Sequence, residues 1–304
     1  MKDSSSASPK SPARRRRVRR RVLALLLLLA ALLSGLELYR SNRVLTLRNY
    51  TISSGKLSAP IRVVYLSDLH GKEFGTANQD LLKLIAAQEP DLIAFGGDII
   101  NNDADAEEIN AMCSLITRAS KIAPVYYCLG NHEFNYNLRH DNELSDRIQE
   151  AGAILLDSCF IDITINGNIV RLGGYMGYYR QPGMMGSTGE QWQREMDFMD
   201  AFEASDQFTL LLNHIPTSWI DWDYRNKYDV DLVLCGHYHG GVIRIPFLDR
   251  GLYAPYIGWF PPYTKGLFEG EKADCILSTG LAGFGLIPRL FNPPEICVVD
   301  VVPT

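Results

Sequence analysis

The chain has 304 residues, of which 46% are hydrophobic, 21% are charged and 10% are aromatic, and its formal net charge is −5 at pH 7. This composition supports a sizeable buried core and excludes a disordered chain, a coiled coil and a low-complexity protein. Residues 1–21 carry a charge of +8, so the remainder sums to −13 (−5 minus +8), and an acidic body disfavours binding to a nucleic-acid backbone.

The amino terminus is predicted to lie outside the fold. Residues 1–21 are rich in Ser and Pro and then in Arg, which is typical of a disordered tail. The apolar run that follows predicts a transmembrane or signal-anchor helix at residues 22–39. Basic residues that precede such a helix stay in the cytoplasm, so we expect a cytoplasmic tail and an extracytoplasmic body. A cleaved signal peptide and a nucleic-acid-binding Arg run are the alternatives, and the poor cleavage site at 31–35 disfavours the first.

Residues 40–59 are polar with alternating apolar positions, so they form either a linker or a first strand, and the sequence does not decide between the two. From residue 60 to residue 304 the chain is regular and is predicted to form one domain. Helix-like periodicity occurs at 78–88 and at 105–120, between short apolar runs. Alternating strands and helices indicate a layered α/β fold.

Five of the short apolar runs predict buried strands, and each is followed at once by a polar residue that can bind a metal ion. These residues are Asp68 and His70, Asp98, Asn131 and His132, His214, and finally His237 and His239. Five of the six His in the chain lie at these positions, and the exception is His140. Because ligands collect beyond the carboxyl ends of strands in layered α/β proteins, we expect the side chains to converge on one site.

The residue types indicate the metal chemistry. Nitrogen and oxygen ligands without thiolates suit Mn, Fe or Zn better than an iron–sulfur cluster or a thiolate zinc site. The candidates exceed the four ligands of a single zinc site, so two divalent metal ions are implied. Glycines next to the candidates, such as Gly97, Gly130 and Gly236, would let the backbone approach the metals closely.

The ordered motifs Asp68-x-His70, Gly97-Asp98, Gly130-Asn131-His132-Glu133, His214 and Gly236-His237-x-His239 resemble the calcineurin-like metallophosphoesterase superfamily. The apolar segment before the body makes the chain similar to a bacterial membrane-anchored branch that resembles the UDP-diacylglucosamine pyrophosphatases. The resemblance implies a four-layer αββα sandwich, with residues 60–304 as the catalytic domain behind the N-terminal helix.

The resemblance also assigns expected roles. Asp68, His70 and His239 would hold one metal ion, Asn131, His214 and His237 the other, and Asp98 would bridge both. Asp98 and His132 are the expected catalytic residues, with His132 contacting a phosphoryl oxygen or protonating the leaving group. From its position beside His132, Glu133 is expected either to orient a ligand His or to be a solvated surface carboxylate.

The implied function is hydrolysis of a phosphoester or pyrophosphate by a metal-bridging hydroxide. Two aromatic-rich segments, at 175–179 and 253–263, are expected to rim the site, which favours a lipid or cell-envelope substrate because Tyr and Trp favour the membrane interface. Alternatives are a nucleotide or nucleic-acid phosphodiesterase, or a non-catalytic membrane-anchored binding protein. We expect a membrane contact through the N-terminal helix and no nucleic-acid partner.

Overall fold

The computed structural model describes residues 12–177, 189–285 and 287–304. One long helix and a first strand precede a half of the chain in which strands and helices alternate. The elements of this half are α1 (Pro12–Arg43), β1 (Thr46–Ser54), β2 (Ile61–Leu66), α2 (Gln79–Ala86), β3 (Leu92–Phe95), α3 (Ala106–Ala119), β4 (Val125–Cys128), α4 (Asn131–Asn137), α5 (Glu143–Glu150) and β5 (Ala153–Leu156).

The second half contains a further set of strands, three helices and two small hairpin-like pairs. Its elements are β6 (Cys159–Ile165), β7 (Asn168–Tyr175), α6 (Gly189–Glu203), β8 (Phe208–Asn213), α7 (Thr217–Ile220), α8 (Tyr224–Lys227), β9 (Leu232–Cys235), β10 (Arg244–Ile245), β11 (Arg250–Gly251), β12 (Tyr253–Ala254), β13 (Gly258–Trp259), β14 (Gly266–Phe268), β15 (Asp274–Leu277) and β16 (Glu295–Pro303). The predicted helices at 78–88 and 105–120 are confirmed as α2 and α3, and Asp105 caps α3 by accepting from the backbone N–H of Glu107 and Glu108.

Two six-stranded sheets carry the fold. The first has the order β1-β16-β2-β3-β4-β5, and its strands β2 to β5 run parallel. The second has the order β14-β15-β9-β8-β7-β6, and its strands β15, β9, β8 and β7 run parallel. Within each sheet the parallel strands end at the same edge, where their loops can carry polar side chains without disturbing the core.

Three apolar clusters define four layers. One lies between the two sheets and includes Val63, Tyr65 and Leu210. A second packs α2, α3 and α5 on the outer face of the first sheet, and a third packs α6, α7 and α8 on the outer face of the second. The chain therefore forms the expected four-layer αββα sandwich.

The N-terminal helix differs from the sequence expectation at both ends. α1 begins at Pro12, inside the segment expected to be disordered, because Arg is a good helix former and the basic run continues directly into the apolar one. It ends at Arg43 rather than residue 39, and β1 starts at Thr46 and pairs in parallel with β16. The first-strand alternative for 40–59 is thus the correct one, and the folded body starts near residue 46 instead of residue 60. Residues 1–11 of the predicted tail lie outside the described residues.

The apolar part of α1 is long enough to cross a membrane, and it does not pack against the body. Among the side chains that the structure describes, those of α1 that bind the body lie at its carboxyl-terminal end, where they contact the segment before β16. Asn42 Nδ2 donates to the carbonyl of Arg289 (2.8 Å), and Asn42 Oδ1 accepts from the N–H of Arg289 (3.1 Å). The Glu37 carboxylate accepts from the N–H of Phe291 (3.0 Å), and the Ser41 hydroxyl accepts from the N–H of Asn292 (3.2 Å). α1 is therefore joined to the body at a fixed place.

Candidate metal centre

The loops after five strands bring all the predicted ligands together. The loop after β2 carries Asp68 and His70, the loop after β3 carries Asp98, and α4 begins with Asn131 and His132 directly after β4. From the second sheet, His214 follows β8, and His237 and His239 follow β9. The site therefore lies across both sheets, at the carboxyl ends of their parallel strands.

The ligand atoms form three overlapping groups, within each of which all atoms lie within 4.8 Å of one another. The groups are Asp68 with His70 and His239, His70 with Asp98 and His132, and Asp98 with His214 and His237. Asp98 Oδ2 lies 3.1 Å from His214 Nε2, 3.8 Å from His70 Nε2 and 3.9 Å from His132 Nε2. Asp98 belongs to two of the three groups, and His70 joins the group of Asp98 to that of Asp68.

The polar atoms of the site fit a pair of cations. Among the described residues, several buried side-chain atoms lack a hydrogen-bond partner, and burying such an atom costs about 1 to 3 kcal/mol. They include His70 Nε2, Asn131 Oδ1, His214 Nε2 and both ring nitrogens of His237. His70, His214 and His237 each place one ring nitrogen in a group with Asp98, so the donor set matches divalent metal ions that prefer nitrogen and oxygen.

Backbone carbonyls orient two of the rings. His214 Nδ1 lies 2.7 Å from the carbonyl oxygen of Gly96, and His239 Nδ1 lies 3.3 Å from that of Ala282. A carbonyl can only accept, so Nδ1 carries a proton in each ring and Nε2 is the nitrogen on the side of the other candidate ligands. Both Nε2 atoms are therefore the ones available to a metal ion.

The ligand residues adopt an unusual backbone conformation. Five non-glycine residues of the site have positive φ angles, which cost of order 1 to 3 kcal/mol each and cluster at functional sites: Asp68 (55°), His70 (47°), Asp98 (53°), His237 (70°) and His239 (48°). Two glycines allow the close approach that the sequence suggested. A Cβ on Gly130 would lie 2.2 Å from Asp98 Oδ1, and one on Gly236 would lie 2.5 Å from Asp68 Oδ2.

Glu133 holds two of the loops together and is fully buried. Its carboxylate accepts from the backbone N–H of Asp98 (2.8 Å), Ile99 (2.7 Å) and Gly130 (3.0 Å), and from the Tyr127 hydroxyl (2.8 Å). The expectation that Glu133 orients a ligand His or lies in solvent is therefore wrong. It binds backbone amides because its helix places the carboxylate beneath the loop that carries Asp98.

The electrostatics of the site prepare most of the rings for metal binding. Burial lowers the pKa of His70 to about 3, and burial together with Arg289 lowers the pKa of His239 to about 3. Burial, reinforced by His214, also holds the pKa of His237 well below its usual value. Burial lowers the pKa of His214 too, but Asp98 outweighs it and raises that pKa to about 9. Three rings are thus neutral at pH 7, and His214 must exchange its proton for a cation.

The two carboxylates shift in opposite directions. Burial on its own raises the pKa of Asp98, but His214, His70 and His132 together hold it well below the usual value. The pKa of Asp68 is raised, first by burial and further by the charge of Asp98. Asp98 is therefore the ionised centre of the group, which is what a bridging ligand requires.

Several residues near the site escaped the sequence reasoning. Lys72 lines a cleft with His70, and burial, followed by Arg289 and Arg43, lowers its pKa to about 8. The sequence could have indicated Lys72, because this residue follows His70 by two positions in the same loop. Arg289 is fully buried, and its guanidinium donates to backbone carbonyls, among them those of Thr279 and Ala282.

The structure describes the second aromatic segment in full and the first only in part. In the second segment, the Tyr256 ring stacks on that of His237 at 4.9 Å, so this segment does rim the site as expected. In the first, Tyr175 is buried at the end of β7, whereas Tyr178 and Tyr179 lie outside the described residues.

The role of Glu133 predicts a large effect of a small change. Glu133→Gln replaces an accepting oxygen by an NH2 group that faces backbone N–H donors, so we expect unfolding to become easier by about 3 kcal/mol and the bound metal content to fall. Urea unfolding of the full chain in detergent and elemental analysis measure the two effects. The exposed Glu143→Gln is the matched control, and equal stability of the two variants would contradict the role.

Comparisons with known proteins agree with this geometry. The family model of calcineurin-like phosphoesterases matches residues 61–241, which include every predicted ligand. The phosphodiesterase YaeI of Escherichia coli (strain K12) is 28% identical over 249 residues, covering 81% of this chain and 83% of the relative. An uncharacterized metallophosphoesterase of Aquifex aeolicus (strain VF5) is 26% identical over 289 residues, covering 89% and 97%.

Solved structures also match the chain. A dimetal phosphatase from Danio rerio is 13% identical with a TM-score of 0.46, and the match covers 73% of this chain and 88% of that one. The match to the family model spans more than half of the chain and contains the motifs that carry the site. The chain belongs to the calcineurin-like phosphoesterase family and is a metallophosphoesterase, a hydrolase that acts on phosphoester bonds.

Proposed function

We propose that the chain is a membrane-anchored, two-metal phosphoesterase that hydrolyses a phosphoester or pyrophosphate of a lipid or another cell-envelope compound, in the manner of the branch similar to UDP-diacylglucosamine pyrophosphatases. The observation that supports the catalytic part is that the buried Asp98 carboxylate belongs to two of the overlapping ligand groups and lies 3.8 Å from His70 Nε2, a member of the third. Because the Escherichia coli relative is a phosphodiesterase by name, a diester is the first substrate to test.

Each metal site of the proposal has its own ligands. Asp68, His70 and His239 would hold one ion of Mn, Fe or Zn, Asn131, His214 and His237 would hold the other, and Asp98 would serve both. When bound, the two cations supply a nucleophile derived from water at neutral pH and neutralise charge on the phosphoryl oxygens. The chain's own contribution is to keep the ligands in place, since hydrogen bonds to backbone groups fix His214, His239 and the loop of Asp98.

His132 is proposed to act on the substrate rather than on a metal ion. Its backbone N–H donates to Asp98 Oδ1 at 2.9 Å, which fixes where the residue stands. Its side chain is 22% exposed, whereas those of Asp98 and His214 are essentially closed to solvent. An imidazole at the open side of the centre can donate to a phosphoryl oxygen and protonate the leaving group.

The bridging role of Asp98 predicts the most severe loss at the site. Asp98→Asn removes a charge that both metal ions share, so we expect loss of both ions and a fall in turnover beyond the 10- to 100-fold typical of outer residues. Hydrolysis of bis(p-nitrophenyl) phosphate and elemental analysis of the full chain measure this. Asn131→Ala should lose less because it serves one ion, and the exposed Asp206→Asn is the control. Near-normal turnover with both ions present would refute the bridge.

Proton donation by His132 predicts a dependence on the leaving group. His132→Ala should slow hydrolysis of a diester with an alkoxide leaving group by about 10²- to 10⁴-fold, but should affect p-nitrophenolate release much less because that group leaves without protonation. Turnover of the two substrates by the full chain gives the ratio. His140→Ala, at the one His outside the site, is the control. Equal losses on both substrates would show that His132 only positions its neighbours.

The proposal places the body on the extracytoplasmic side, because nine Lys and Arg precede the apolar helix. Of the six cysteines, only Cys159 is exposed. A membrane-impermeant maleimide should therefore label Cys159 in spheroplasts with an intact cytoplasmic membrane. Cys159→Ser should abolish the labelling, and adding Ser6→Cys to that variant should restore it only after lysis. Labelling of Cys159 only after lysis would place the body in the cytoplasm.

A further inference from the structure

Two cavities of different character meet beside the metal centre. The first is a cleft of about 540 Å³, which we call the polar cleft; its lining combines the polar side chains of Asn42, His70, Lys72, Asn101 and Asp103 with Ala282, Ile287, Pro288 and two glycines. The second is an apolar cavity of about 270 Å³. Its walls are aliphatic and aromatic side chains, with Ile243, Leu252, Tyr253, Trp259, Phe284 and Ile287 among them. The pair therefore offers a polar and an apolar compartment next to each other.

The two compartments share a wall and both reach the predicted ligands. Ile287 lines both cavities. The ring of Phe284, in the apolar cavity, lies 5.9 Å from the ring of His239, and Gly241 of the same cavity follows His239 by two positions. His70 itself lines the polar cleft. A molecule with its phosphate at the centre can thus extend an attached chain past Ile287 into the apolar cavity.

The end of the membrane-length helix stands at the same place. Asn42 of α1 lines the polar cleft and is hydrogen-bonded to Arg289, two positions after Ile287. Trp259 and Ile287 on the apolar side are 69% and 48% exposed, so the apolar cavity opens outward. An apolar opening beside the end of such a helix favours a lipid over a water-soluble ligand, because the lipid loses apolar surface to water when it enters.

We propose that the apolar cavity binds an acyl chain of a membrane lipid whose phosphate lies in the polar cleft. The position of the phosphate rests on the proposed phosphoesterase function, whereas the acyl-chain site rests on the cavity itself. At about 270 Å³ the cavity lies just below the usual 300 to 1,000 Å³ of ligand pockets, so it takes part of one chain. Lys72 provides a cation on the phosphate side.

A photo-crosslinking experiment tests the cavity without any turnover. The full chain is placed in vesicles of phosphatidylcholine and phosphatidylglycerol, with a fraction of phosphatidylglycerol that carries a diazirine on its acyl chain. We expect adducts within residues 241–259 and at Ile287, and we expect them to persist after metal chelation because no lining residue of the cavity is a predicted ligand. Adducts confined to α1, or spread evenly over the body, would overturn the proposal.

Two matched double variants test whether the adducts depend on the cavity or on exposed apolar side chains in general. Trp259→Gln with Ile287→Gln should lower adduct formation by about tenfold or more, since two exposed apolar walls are lost. Phe247→Gln with Leu248→Gln removes a comparable apolar pair that is exposed between β10 and β11 and does not line the cavity, so the adducts should remain. An equal loss in both double variants would indicate a general membrane contact and would overturn the cavity.

A kinetic series then separates this proposal from the proposed function. With alkyl p-nitrophenyl phosphodiesters from methyl to octyl, kcat/KM should rise roughly fourfold for each methylene that enters the cavity. The Trp259/Ile287 double variant should flatten this rise, and the Phe247/Leu248 pair should keep it. Turnover without chain-length dependence and without cavity adducts overturns the acyl site alone. Cavity adducts without turnover of any ester support the acyl site and overturn the phosphoesterase.

Discussion

The carboxylate of Glu133 is the interaction on which the metal centre depends. One buried side chain accepts from backbone amides of the loop after β3 and from Gly130 after β4, so it fixes Asp98 relative to Asn131 before any cation arrives. Hydrogen bonds from amides and from Tyr127 stabilise its charge in place of a basic partner. Because a preorganised ligand set binds metal without first ordering a loop, this arrangement lowers the cost of occupying the site.

The packing of the sandwich offsets the free-energy cost of the unusual backbone conformations at the site. Left-handed backbone at Asp68, His70, Asp98, His237 and His239 is unfavourable, and such conformations persist only where the surroundings over-determine them. Those surroundings are strands from both sheets, held by the apolar cluster between them. The site forms only when the two sheets pack together, because the loops of the first sheet carry Asp98 whereas those of the second carry His214 and His237. A change that loosens the core between the sheets therefore acts on the chemistry as well.

The sequence was informative where its signals are local. Strand patterns ending in Asp, Asn or His predicted which residues the loops bring close together, because residue type and strand end coincide within a few residues. The role of Glu133 could not be predicted, because the backbone amides of Asp98 and Ile99 that it binds lie more than thirty positions away and leave no mark on side-chain identity. The pairing of β1 with β16 joins the two ends of the body, and no local pattern encodes such a contact. The apolar cavity likewise combines residues near 243–259 with Ile287, which only the fold brings together.

The joint between α1 and the body leaves little freedom. Only two residues separate the helix from β1, and Glu37, Ser41 and Asn42 are hydrogen-bonded to the segment before β16. A flexible linker would let the domain sample many heights and tilts, whereas this joint transmits the tilt of the helix directly. If α1 spans a bilayer, the metal centre moves with it as one rigid body at a constant height. Encounter with substrate then reduces to lateral diffusion in two dimensions, and compounds outside that thin layer are beyond the reach of the site.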